Sequence, residues 1–94
     1  MAGTDLVQAL TRGLKILEMA AASTDGVRVP DITEALGIKQ PTAHNLARTL
    51  VAQGYLVRHA APVRYALGPA VESLANTGSR RRWRETAERS VRAL

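Results

Sequence analysis

The chain has 94 residues, enough for one small domain with a single compact core, and it contains no cysteine, which excludes a disulfide framework and a thiolate metal site. Its net charge is +5, its pI is near 10.8, and no apolar run approaches the roughly 20 residues of a membrane-spanning helix. With no basic segment leading into an unbroken apolar stretch at the start, the chain reads as soluble and cytoplasmic, with no membrane partner.

Residues 5–22, "DLVQALTRGLKILEMAAA", predict a helix whose apolar face is Leu6, Leu10, Leu14, Leu17 and Ala21, spaced by three or four. Thr4 or Asp5 is placed to cap it through a side-chain oxygen. Gly13 weakens the middle of that helix by about 1 kcal/mol relative to alanine and points to a close helix contact. "STDG" is turn chemistry, and "VRV" at 27–29 is short enough to be only an edge strand pairing with a later hairpin. Pro30 opens a short helix, because first-turn N–H groups have no intrahelical partner to lose, and Gly37 supplies a left-handed stop with Ile38 buried beneath it. Pro41 occupies a first helical position, with Gln40 or Lys39 at the cap, and that helix runs to about Gln53 before Gly54 closes it.

"YLVRH" and "VRYAL", separated by "AAP", predict a hairpin in which Tyr55 and Tyr65 pack on a half-buried face. "GPAVESLAN" starts a helix at Pro69 that stops before Gly78. Ser79 caps a last helix in which Glu85–Arg89 and Glu88–Arg92 are favourable pairs four residues apart. Its stripe of Trp83, Ala87, Val91 and Leu94 fits core, an interface or an exposed surface awaiting another domain.

This order of elements predicts a mainly α fold with a small β-hairpin: a winged helix-turn-helix over 1–77, then the start of a linker helix at 78–94. Ala43, Leu46, Ala47 and Leu50 line one face of the second helix of the motif, and the small Ala43 and Ala47 let the shorter helix, with Ile32 and Leu36, cross closely. The opposite face carries Thr42, Asn45, Arg48 and Thr49. No Asp or Glu occurs between Glu34 and Glu72, an interval that holds Lys39, Arg48, Arg58 and Arg64. A basic surface confined to part of a small domain points to a polyanion, here double-stranded DNA. The helix over 41–53 is suited to the major groove and the wing over 55–67 to the backbone or minor groove. Gln40, Pro41, His44 and Asn45 are the candidate base readers. Arg28, Lys39, Thr42, Arg48, Arg58 and Arg64 are the candidate phosphate contacts. Arg12 and Lys15 fall on the first helix, on a dimer side or in solvent.

The rival reading is a winged helix that binds another protein, which an apolar patch on the Thr42–Asn45 face would favour. Catalysis is not expected: His44 and His59 are the only histidines, neither has a carboxylate near it in sequence, and there is no glycine-rich phosphate loop. No cofactor and no metal are expected.

From about Val7 to Ala75 the sequence resembles the winged helix-turn-helix domain of regulators of the isocitrate-lyase-regulator (IclR) type. The resemblance is carried by "TRGLKILEMAA", "LGIKQPTAHNLARTLVAQGYL" and "RYALGPAVESLA". It implies a transcriptional repressor that is a homodimer or a higher oligomer, reads a two-fold operator, and senses a small molecule through a separate C-terminal domain for which this chain has no site. On that reading the chain is a DNA-binding fragment of a longer protein. It departs from the family where Pro41-Thr42 replaces a frequent Ser-Thr, where Asn45 replaces a frequent arginine, and where the wing tip "HAAP" lacks Asp and Gly.

Overall fold

The computed structural model describes residues 5–77. In chain order it has α1 (Gln8–Ala22), α2 (Val29–Leu36), α3 (Gln40–Ala52), β1 (Leu56–His59), β2 (Arg64–Leu67) and α4 (Pro69–Asn76). This is the predicted mainly helical fold with one antiparallel hairpin. The helix expected from Ser79, with Trp83 and its apolar stripe, lies outside the described residues.

α1 differs from its sequence reading in three ways. It starts three residues later, and its N-cap position is Val7, so neither Thr4 nor Asp5 caps it. Thr11 closes the first turn instead, donating from both its N–H (3.1 Å) and its Oγ1 (3.3 Å) to the Val7 carbonyl. The buried face is also a different one. Gly13, Ile16 and Ala20 turn inward, with Leu17 and Met19 packed beside them. Leu6, Leu10 and Leu14 stay 69%, 63% and 52% exposed, and Ala21 is exposed as well. Helical periodicity identifies two apolar stripes on α1, sharing Leu17. The stripe that flanks Ile16 with small residues is the one that lets α1 approach α3 and β2. Nor is Gly13 held against a neighbouring helix: a Cβ there would meet nothing within 4 Å.

The helix-turn-helix follows its sequence signals closely. The Asp31 carboxylate accepts a hydrogen bond from the Arg28 N–H at 3.0 Å, so α2 opens with an acid against its own first turn. Gly37, at φ 64° and ψ 38°, ends α2 in the left-handed conformation. Ile32, Ala43 and Ala47 are fully buried where α2 crosses α3, and Leu36, Ile38, Leu46 and Leu50 are half-buried around them.

In the hairpin Leu56 pairs with Leu67, Val57 with Ala66, Arg58 with Tyr65, and His59 with Arg64. The connection covers 60–63, one residue longer than the sequence predicts, because Val63 stays out of the ladder. The expected edge pairing narrows to one residue, Val27, whose N–H and carbonyl both bond to Tyr65 at 2.8 and 2.7 Å; Val29 already belongs to α2. Gly26 precedes that bridge at φ 95°, where a Cβ would stand 2.9 Å from the Tyr65 carbonyl oxygen.

Tyr65 is sealed rather than half-buried, at 1% exposure, while Tyr55 is half-buried as expected. The Tyr65 hydroxyl has no hydrogen-bond partner among the described residues. A buried hydroxyl without a partner loses its hydration for nothing. Tyr65→Phe should therefore raise the thermal midpoint by several degrees, corresponding to about 1 kcal/mol. A fall of that size in a melting experiment would mean that the hydroxyl is bonded in solution.

Candidate nucleic-acid interface

α3 presents its first turn to solvent. Gln40, Pro41, His44 and Asn45 are all exposed, and together they line one open depression of about 410 Å³. The four candidate base readers are thus brought to one place. None of their side chains is engaged in a hydrogen bond among the described residues, and only the Asn45 backbone carbonyl is used, accepting from Thr49 Oγ1 at 2.8 Å. That bond turns the Thr49 hydroxyl back onto its own helix, which removes it from the polar face the sequence assigned to it.

The electrostatics of the two helix starts differ. α3 has no acid in its first turn, no side-chain cap, and Lys39 at the cap position. Its first N–H groups and helix dipole therefore face outward with nothing to neutralise them. At α2 the Asp31 carboxylate already occupies the corresponding place beside Arg28. An approaching phosphate meets a positive end at α3 and a locally compensated one at α2.

Among the backbone candidates, Arg28, Lys39, Thr42, Arg48 and Arg58 are exposed. Arg48 follows Pro41, His44 and Asn45 along the same side of α3, one turn on, while Thr42 flanks it. Arg58 is exposed toward the wing tip on β1, paired with Tyr65 and therefore on the same face of the hairpin as that buried ring. Arg64 is different: it is half-buried, and its Nη1 donates to the Pro62 carbonyl at 3.1 Å, folding the side chain along the wing tip. It is the least available of the cations.

Two features escaped the sequence reading. His59 is exposed on the wing opposite Arg64, and its place at a strand end was the available signal. The other is an apolar groove of about 340 Å³ between α1 and α3, lined chiefly by Leu10, Leu14, Leu17, Leu46 and Leu50. Its signal was the Leu10–Leu14–Leu17 spacing, which the sequence marks as part of the apolar face of the first helix. The exposed large apolar side chains thus lie on and just before α1, on the wing and on α4, while the Thr42–Asn45 face is polar apart from the adjoining Pro41 and the buried Ala43.

Residues 9–60 match the IclR helix-turn-helix domain, more than half of the chain. The chain belongs to the IclR helix-turn-helix family. This IclR-type domain is 32% identical over 71 residues to the glycerol operon regulatory protein of Streptomyces griseus, covering 76% of this chain and 28% of that protein. It is 40% identical over 53 residues to the transcriptional repressor IclR of Escherichia coli, covering 56% of this chain and 19% of that protein. Among solved structures, the repressor BlcR of Agobacterium tumefaciens superposes with a TM-score of 0.68 at 29% identity, over 77% of this chain and 29% of that one. An IclR-family transcriptional regulator of Brucella abortus gives 0.66 at 32% identity, over 76% and 27%. The IclR-type domain therefore spans less than a third of the relatives it matches. Those relatives are transcriptional regulators, not enzymes. Among the described residues no helix is long and apolar enough to cross a membrane.

Proposed function

We propose that this IclR-type domain is the operator-reading part of a cytoplasmic transcriptional repressor, with α3 in the major groove of double-stranded DNA and the wing over 55–67 on the backbone or minor groove. The single observation that carries the reading is the first turn of α3: exposed, uncapped, free of acids, and lined by side chains able to bond base edges. A helix of about 10–12 Å diameter fits a major groove about 12 Å wide. The similarity to proteins named as repressors supports the sign of regulation. The reading domain comprises 1–77, and 78–94 begins the connection to a region that senses an effector. Two copies act together on a two-fold operator, with half-sites about one helical turn, roughly 34 Å, apart or a multiple of that. The exposed leucines of α1 offer a surface for the second copy that leaves both α3 faces free. A protein-docking role for α3 itself is the weaker reading, since none of the exposed large apolar side chains lies on α3 among the described residues.

The test compares two kinds of variant on matched operators. Asn45→Ala and Gln40→Ala should flatten the ranking of operator variants, costing about 1–3 kcal/mol at each contacted base. Arg58→Ala should weaken all duplexes alike and reduce the salt slope by about one unit per protomer bound. An unchanged ranking in Asn45→Ala, or a footprint without two-fold symmetry, would count against the proposal.

A further inference from the structure

We infer that the first turn of α3 is built to read A·T pairs, with Asn45 and Gln40 on adenines and the Pro41 ring against a thymine methyl. The inference rests on the proposal that α3 enters the major groove, and it goes on to name the base pairs at the centre of each half-site. It follows from what the depression at that turn contains and what it lacks.

In the major groove, guanine presents two acceptors and is best met by an arginine or lysine fork. Cytosine presents an amino donor and is best met by a carboxylate. Adenine presents a donor and an acceptor side by side, which one primary amide satisfies at once, and thymine presents an acceptor next to a methyl group. The four residues lining the depression are Gln40, Pro41, His44 and Asn45. No cationic fork is among them; Lys39 is at the helix cap and Arg48 lies a turn further along α3. No carboxylate occurs anywhere from Ala35 to Val71. Two of the four are primary amides without a hydrogen-bond partner among the described residues, which leaves both the donor and the acceptor of each for a base.

Pro41 is the third element. Within the first turn it has no N–H to offer a phosphate or base, and its exposed ring is the apolar part of the depression. An apolar surface between two amides matches a thymine methyl next to paired adenines and matches no group on a G·C pair. His44, the fourth, bonds the N7 acceptor of either purine and does not select between them.

The experiment uses the 94-residue chain. Duplexes are selected from a random pool, and the selected site is then altered one atom group at a time. Each half-site should contain adjacent A·T pairs at its centre. Replacing the contacted thymine by uracil, which removes only the methyl, should weaken wild-type binding about three- to four-fold. Pro41→Gly, which leaves no apolar side chain at that position, should be indifferent to that replacement. Replacing the contacted adenine by 7-deazaadenine should weaken the wild type about ten-fold and leave Asn45→Ala unaffected. Half-sites enriched with G·C pairs at their centre, or wild-type indifference to uracil at every thymine, would overturn this inference while leaving DNA binding intact. A chain that enriches no duplex would overturn both this and the proposed function.

Discussion

Ile32→Ala should cost about 2–5 kcal/mol of folding stability, a loss of the size expected for the most deeply buried side chains of this domain, Ile16, Ile32, Leu56 and Tyr65. Ile32 is fully buried in the α2–α3 crossing, and its core neighbours there, Ala43 and Ala47, are too small to move into the space it would leave. Native domains are stable by about 5–15 kcal/mol, and one this small belongs near the lower end, so much of the margin goes with one side chain. Urea unfolding should show the midpoint falling with an unchanged slope. DNA binding would fall too, but as a consequence of unfolding, so saturating operator should restore part of it by mass action. Asn45→Ala should do the reverse, leaving the urea midpoint in place while changing operator preference, because Asn45 is exposed and its side chain holds nothing else in place. A loss below about 1 kcal/mol for Ile32→Ala would mean that the crossing repacks freely, and the close approach of the two helices would need another explanation.

The helix-turn-helix was legible because local rules decide it. Pro30 and Pro41 fix where α2 and α3 begin, Gly37 adopts the left-handed turn that glycine tolerates, and Ala43 with Ala47 marks the side where another helix approaches. The candidate base readers were legible for the same reason: once the buried side of α3 is known, its exposed side follows. α1 shows where such reasoning stops. Periodicity reports that a stripe is apolar and leaves open which of two stripes finds a partner, and Leu10 and Leu14 lost to Gly13, Ile16 and Ala20 through tertiary packing alone. The full burial of Tyr65 and the contact of Arg64 with the wing tip lay beyond the same kind of reasoning. Val27, 38 positions earlier, closes over the strand that carries Tyr65, and the shape of the wing tip brings the Pro62 carbonyl to Arg64. The "VRV" segment signals that pairing, but the depth to which it buries Tyr65 and the turn of Arg64 onto the wing tip have no local sequence signal.

Salt should weaken operator binding steeply, and the steepness follows from which cations the fold leaves free. Lys39 at the start of α3, Arg48 a turn beyond the base readers, and Arg58 on β1 toward the wing tip are exposed. Arg28 has the Asp31 carboxylate against its own backbone, and Arg64 is folded onto the Pro62 carbonyl, so both should contribute less. A two-fold dimer using Lys39, Arg48 and Arg58 from each protomer neutralises about six phosphates. The plot of log affinity against log salt should then have a slope near −5, and affinity should fall roughly a thousand-fold between about 50 and 200 mM salt. Arg58→Ala should remove close to two units of slope from the dimer, whereas Arg64→Ala should remove well under that. Asn45→Ala should lower the line on the preferred operator without tilting it, because a base contact releases no counterion. The measurement is fluorescence anisotropy across a salt series on one operator and its scrambled counterpart. A wild-type slope near −2 would mean that these side chains do not reach phosphates together, and the two-fold complex with α3 in the groove would have to be abandoned.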